Sequence, residues 1–245
     1  MPVSFGRYHE PFVGGAAMLL RVRPEHATLA DANDELVNCY RVVRDDVEHL
    51  ITHLASHRNE EEYFYEMRAT DPETLDEIER ASRFIFLNRT CFNGLYRVNR
   101  SGQFNTPFGR YANPRICDAE NLRLVSEVLA SVDLIHCDYV DALALAERDD
   151  FVYLDPPYVP LSPYSDFKRY TKEQFGEDDH VRLAETFRDL DARGCKVMLS
   201  NSDMPLVHSL YGGFTIEVVQ ARRLINKNPA GRGLVNELVI RNYEH

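Results

Sequence analysis

The stretch FVYLDPPY, residues 151–158, leaves this chain the least freedom. Phe151 to Leu154 is a short unbroken apolar run, as expected of a strand buried on both faces of a parallel sheet. Asp155 ends the run and two prolines follow. Proline has no N–H to give a sheet ladder, and it pushes the residue before it toward extended geometry. The strand therefore has to stop, leaving a carboxylate at its carboxyl end, where open α/β sheets bind ligands. The plainer reading is an ordinary strand with a proline-rich turn after it. The rest of the chain decides between the two.

Strand and helix patterns alternate along most of the sequence. Tyr8 to Val13 reads as a strand, followed by a tight turn from Gly14 to Ala17 and an apolar helix start at Met18. Backbone approaches nucleotide-type cofactors through a strand, a small-residue turn and a helix, although many ordinary turns carry two glycines. HATLADAN predicts a second strand ending at Asp31, about 17 residues after the glycines, where an acid usually holds a ribose hydroxyl pair. Asp34 to about His57 reads as one long helix, and Asp71 to Asn88 as another. His49, His53 and His57 share a face of the first at steps of four. That spacing could ligate a metal, but neither cysteine nor an HExxH pattern accompanies it, and no metal is expected.

Residues 90–111, TCFNGLYRVNRSGQFNTPFGRY, suit a loop or hairpin reaching out of the body. The pattern then predicts a helix over 119–130, a strand DLIHCDYV with Asp138 near its end, and a helix over 142–148. After the strand at 151 come a helix over 172–192 and a strand KVMLSNSD. FTIEVVQARRL and LVNELVIRNY read as two long strands joined by a basic loop, an antiparallel hairpin.

A chain of 245 residues, 44% hydrophobic, suits one domain plus an insertion. It contains no apolar run of about 18 residues, so no membrane span is expected. The opening MPVSFGRYHEPF lacks the basic and apolar regions of a signal peptide, and five cysteines without a CxxC pair fit reduced thiols in a cytoplasmic setting. A net charge of −11 argues against nucleic acid until its distribution is read. Arg80 to Cys117 holds seven arginines and no acid, and Val218 to Asn236 holds Arg222, Arg223, Lys227 and Arg232, again without an acid. Two basic patches on an acidic body fit phosphate binding, with chance clustering on a solvated face as the plainer alternative. Both runs also carry asparagine and glycine. Arginine and asparagine read base edges, and an aromatic side chain can wedge between stacked bases.

A carboxylate followed by two prolines and a tyrosine suits chemistry on an aromatic amine such as the amino group of adenine. The nitrogen lone pair of such an amine is delocalised into the ring, so it is a poor nucleophile. Acceptors on both its hydrogens pull the nitrogen toward tetrahedral geometry and free the lone pair. Asp155 supplies one acceptor, and the Pro156 carbonyl, stiffened by Pro157, the other. Tyr158 offers a flat face for a base taken out of its stack.

The motifs EPFVGG, LADAN, LNRTCFNGLYRVNRSGQFNTPFGRY, CDY, DPPY, SNSD and ARRLINKNPAGRGLVNELVI together resemble the Dam-type (D12 class) DNA adenine methyltransferases over nearly the whole chain. The resemblance implies an α/β fold: a Rossmann-like S-adenosylmethionine-dependent methyltransferase sheet with an antiparallel carboxy-terminal hairpin and a helical DNA-recognition insert. It implies a catalytic domain over 1–45 and 118–245 and a target-recognition insert over 46–117. On matching positions, Phe12 and Gly14 would line the cofactor, Asp31 would hold its ribose hydroxyls, and Asp138 with the Tyr139 backbone would meet its adenine. Asp155, Pro156, Pro157 and Tyr158 would hold the target adenine, with Asp155 also facing the cofactor. Phe92 and Asn93 match the family's wedge and its phosphate or orphan-base contacts. Leu95, Arg97 and Pro107 match its base-reading hairpin, and Arg97 is the leading specificity residue. The basic loop from Arg222 to Arg232, with Arg223, looks like a second contact to the DNA backbone, and Arg89 and Arg110 are further expected DNA-binding residues.

The family pattern also opens with a helical leader bearing a Lys-Trp-Gly-Gly-Lys-like motif that grips the methionine end of the cofactor. About a dozen residues precede FVGG here and the chain has no Trp, so either a shortened start or a different grip is expected. The expected activity is site-specific methylation of the adenine amino group in duplex DNA, with GATC as the first candidate site. A cytosine amino-methyltransferase and a non-catalytic DNA-binding relic are the alternatives. The expected partners are duplex DNA, with the protein acting as a monomer, and a cognate restriction enzyme. The expected location is cytoplasmic, at the nucleoid or as a viral protein in a prokaryotic host.

Overall fold

The computed structural model describes residues 1–160, 175–222 and 233–244. The basic loop with Arg223, and the start of the helix expected at Lys172, lie outside them. Arg222 is described only as the last residue of a strand.

Among the described residues seven strands form one sheet: β1 (Tyr8–Glu10), β2 (Ala27–Asp31), β3 (Val132–His136), β4 (Phe151–Leu154), β5 (Lys196–Ser202), β6 (Thr215–Arg222) and β7 (Leu234–Arg241). Their order is β3-β2-β1-β4-β5-β7-β6. Strand β1 pairs in parallel with β2 and β4, and β4 in parallel with β5. Strand β7 runs antiparallel to both β5 and β6. The expected α/β class and antiparallel hairpin are present, and the last strand inserts between β5 and β6. The strand order reverses between β1 and β4, so the crevice beyond their carboxyl ends is a topological switch point.

The helices are α1 (Ala17–Val22), α2 (Asp34–Asp45), α3 (Val47–Leu54), α4 (Glu61–Ala69), α5 (Glu77–Thr90), α6 (Ala119–Leu129), α7 (Tyr139–Leu143), α8 (Glu177–Arg193) and α9 (Pro205–Tyr211). The described residues cluster into two compact units. Residues 1–30, 137–160, 175–222 and 233–244 make one, and residues 31–136 the other. In the first, Val152, Leu154, Val197, Leu199, Leu238 and Ile240 of the sheet bury against Leu183, Phe187 and Leu190 of α8. Each such side chain contributes roughly 1.5–3 kcal/mol. The second unit has its own aromatic core, Phe64, Phe86 and Phe104 with Leu87 and Cys91.

Several elements differ from the sequence pattern. The helix expected from Asp34 to His57 breaks at Asp46, whose φ of −147° is not helical. Asp45 and Asp46 lie at the negative end of α2's macrodipole, which disfavours them there, while Asp46 and Glu48 suit the start of α3. Helices α4 and α9 have no counterpart in the expected elements. Strand β1 stops at Glu10 because Pro11 has no N–H to continue it. The helix expected over 142–148 begins earlier, at Tyr139, because the Asp138 carboxylate accepts the Val140 N–H (2.9 Å) and caps α7. Helix α8 starts at Glu177, after Gly176.

Candidate active site

The strand ends at the switch point carry the polar groups. Glu10, the last residue of β1, is 2% exposed. Its carboxylate accepts the Tyr8 hydroxyl (2.8 Å) and the Leu19 N–H in the first turn of α1 (3.1 Å). Burial pushes the Glu10 carboxyl up to about 7, against the pull of those two donors. The chain then turns through Gly14, whose φ of +43° is the left-handed geometry glycine adopts without strain. A Cβ on Gly15 would meet nothing within 4 Å, so packing does not dictate its small size and the turn keeps its backbone open. Phe12 lies beside Tyr139, ring centroids 5.1 Å apart. The Arg182 guanidinium covers the Tyr139 ring at 5.2 Å and pairs with Asp138 (3.1 Å). An open glycine turn, two aromatic rings and a carboxylate at the start of α7 fit an adenosine-containing cofactor.

Asp155 follows β4 directly. The residue opens to solvent, yet its carboxyl is crowded by its neighbours. Loss of water there raises its pKa above the ordinary carboxylate range, while the hydroxyls of Ser200 and Tyr158 pull it down. The Ser200 hydroxyl donates to Asp155 Oδ1 at 2.8 Å, and Tyr153 meets Ser200 at 3.0 Å. The Tyr158 hydroxyl approaches Glu237 of β7 at 3.5 Å, and burial raises its pKa. Pro156 is buried and Pro157 exposed. Phe12, Gly14, Asp138, Tyr139, Asp155, Pro156 and Tyr158 thus all belong to the first unit.

In the second unit, Asp31 ends β2, is 5% exposed and accepts the Asn33 N–H (2.9 Å). The 90–111 segment is a hairpin, bridged at Cys91–Phe108 and Val98–Phe104. Asn99 ties its tip by accepting the N–H groups of Ser101 and Gln103. A Cβ on Gly109 would lie 2.7 Å from the Cys91 carbonyl and 2.8 Å from that of Thr90, so only glycine fits there. Phe92 is 53% exposed, and Asn93 and Gly94 after it have φ of 56° and 58°. Leu95 accepts the Thr106 hydroxyl at its carbonyl, and Pro107 accepts the Phe92 N–H. Arg97 donates through Nε to Asn105 Oδ1 at 2.7 Å.

The arginine run is less free than its composition implies. Arg80 pairs with Asp34 and Glu35, Arg110 with Glu61, and Arg115 with Asp118. Arg83 is buried and donates to the Met67 and Arg68 carbonyls at the end of α4. Asp34, Glu35 and Glu61, distant in sequence, fold onto the run, which sequence windows do not see, while Asp118 reaches back from just beyond its end. Arg89 and Arg100 are exposed and, among the described residues, make no ion pair. Of the three helix-face histidines, His53 packs edge-on against His57 with ring centroids 5.6 Å apart, and His49 turns to a different partner. His49 pairs with Asp46, while His57 is buried between Tyr63 and Ser82 and stacks on Phe86. Among the described residues no group of His, Cys, Asp and Glu side chains is arranged to hold a metal ion, and no helix is long and apolar enough to cross a membrane.

The sequence assigns no individual role to Glu10, Ser200, Asn105 or Glu237, although each lies within a quoted motif and Ser200 opens SNSD, and it does not single out Tyr153 as a site residue. β4 and β5 are parallel with Leu154 opposite Leu199, and that register, which the sequence does not show, brings Ser200 abreast of Asp155.

The pattern of the D12 class N6 adenine-specific DNA methyltransferase family matches residues 1–225. The chain is 42% identical to the Type II methyltransferase M1.LlaDCHI of Lactococcus lactis subsp. cremoris, over 99% of this chain and 88% of that protein. It is 43% identical to the Type II methyltransferase M.MjaIII of Methanocaldococcus jannaschii, over 97% and 88%. With the DNA adenine methylase of Vibrio cholerae it shares 34% identity over 94% and 84%. The chain belongs to the D12 class of N6 adenine-specific DNA methyltransferases.

Proposed function

We propose that this adenine-specific DNA methyltransferase takes its methyl group from S-adenosylmethionine and acts on GATC in duplex DNA, with the target adenine turned out of the helix toward Asp155 and Tyr158. The observation that carries the reading is the Asp155 carboxyl at the switch point, followed by a stiff Pro-Pro backbone and an aromatic face. When bound, S-adenosylmethionine supplies a methyl group already activated on a sulfonium, so the C–N bond forms as the C–S bond breaks and sulfur keeps the bonding electrons. Asp155 and the Pro156 carbonyl accept the two amino hydrogens and free the nitrogen lone pair. The nitrogen sheds one proton on transfer, and the Asp155 carboxyl, raised by crowding and open to water, takes it and passes it on. Tyr158 carries the ring by stacking. Phe12, Gly14, Asp138 and Tyr139 hold the cofactor's adenosine end, and Asp31 its ribose.

Phe92 enters the stack and Asn93 meets the orphan base or a phosphate. Leu95, Arg97 and Pro107 read bases, and Arg89, Arg110, Arg222 and Arg223 meet phosphates. Residues 46–117 serve as the recognition insert and the remainder as the catalytic domain. The protein acts as a monomer in a prokaryotic cytoplasm, and the two Type II relatives favour a restriction partner. The test is labelled methyl transfer to a GATC duplex and to the same duplex with that site altered. Label in the GATC duplex alone supports the site, equal label in both rejects GATC, and no label in either rejects the donor or the activity.

A further inference from the structure

We propose that Ser200 is a positioning residue for methyl transfer: its hydroxyl sets the rotation of the Asp155 carboxyl so that one oxygen is kept for the substrate's amino group. This rests on the reading of Asp155 as the acceptor from that group. Three consecutive residues of β5 hold the Asp155–Val159 turn at both ends. Ser200 donates to Asp155 Oδ1 at 2.8 Å, Asn201 Oδ1 accepts the Val159 N–H at 3.1 Å, and Ser202 donates to the Val159 carbonyl at 2.7 Å. All three are buried, at 8%, 1% and 4% exposure. A sheet interior does not require polar side chains, and buried ones are costly unless bonded, so their use here is the turn they grip. An ionised carboxylate accepts on both oxygens. A donor fixed on Oδ1 selects one rotation, and Tyr153, 3.0 Å from the Ser200 oxygen on the neighbouring strand, keeps the serine from turning away.

The carboxyl is also faced by Glu10 and Tyr8 from β1, Tyr153 from β4 and Tyr158 from the turn, with Glu237 of β7 behind Tyr158. The Ser200 hydroxyl lowers the Asp155 pKa. Its removal therefore moves the acid limb of the transfer rate to higher pH, because the carboxyl must be ionised to accept.

Single-turnover methylation of a duplex substrate is measured against pH for the wild type, Ser200→Ala, Ser200→Thr and Tyr153→Phe, with DNA affinity and melting temperature recorded for each. The set is repeated in a Glu10→Gln background, so that the second buried carboxyl does not shape the limb. Ser200→Ala is expected to slow transfer at neutral pH by about ten- to a hundredfold and to move the acid limb upward with DNA affinity unchanged. Ser200→Thr restores most of the rate, and Tyr153→Phe shifts the limb less, in the same direction. A wild-type rate and limb in Ser200→Ala overturns the proposal. So does a slowed rate that follows a lower melting temperature with the limb unmoved. If Ser200→Ala does not fold, an unshifted limb in Tyr153→Phe overturns it. Asp155→Ala, run alongside, separates the two levels: an active Asp155→Ala overturns the acceptor reading itself, whereas an inactive one beside an unaffected Ser200→Ala overturns only the role of Ser200.

Discussion

Toward the carboxyl ends of β1, β4 and β5, Glu10, Asp155 just after β4, and Ser200 take their neighbours from strand register, while in the 90–111 hairpin Arg97 and Arg110 are held by side-chain bonds close to water. The first group gives up solvation on folding, and the raised pKa of Glu10 records that cost. The second gives up little. The Arg110–Glu61 pair is 75% and 43% exposed, so its partner can be exchanged for a phosphate at small cost. The proposed chemistry thus sits at the ends of rigid strands and the proposed reading of DNA on a loop whose contacts are cheap to trade. Substitutions in the two regions should therefore fail differently.

The largest expected effect is at the strand ends. Asp155→Ala should slow transfer on the order of a thousandfold while DNA affinity, measured by gel shift, stays within a few-fold. Equal loss of both would erase the distinction between the regions. Next comes the cost of burial at Glu10. Its folded pKa is raised from 4.5 to about 7, so between those values the folded chain keeps a proton that the unfolded chain has released. Stability is full below that window and falls as pH rises through it, by up to roughly 3 kcal/mol. Denaturant melts at several pH values should show this slope in the wild type and lose it in Glu10→Gln.

Smaller effects belong to the hairpin. Arg97→Ala should relax discrimination at one base pair by about 1–3 kcal/mol, read by comparing rates on duplexes altered one position at a time, with melting temperature nearly unchanged. A large drop in stability instead would place Arg97 with the buried groups. Arg110→Ala should weaken binding to all duplexes alike and reduce the salt slope of affinity by about 1. Its effect on folding should stay within about 0.5 kcal/mol.

The same contrast explains what the sequence made legible. The DPPY strand, the glycine turn and the carboxy-terminal hairpin were readable because apolar runs, prolines and glycines act locally. Helix α4 could have been read as well: Glu60, Glu61 and Glu62 precede an apolar spacing at Tyr63, Phe64 and Met67, the charge pattern a helix start favours. Partnerships across long separations were not readable. Arg80 with Glu35 and Ser200 with Asp155 lie 45 residues apart in each case, and only strand register and helix packing bring them together. The seven arginines show the consequence. Their charge is visible in composition, but how much of it remains free depends on which acids fold against them.

The most direct test of the account identifies the methylated base. Wild type and Asp155→Ala are each incubated with labelled S-adenosylmethionine and a duplex, the DNA is digested, and the nucleosides are separated. The account predicts N6-methyladenine from the wild type and none above background from the variant, with both proteins shifting the duplex equally. Label on the cytosine amino group, or undiminished N6-methyladenine from Asp155→Ala, would contradict it.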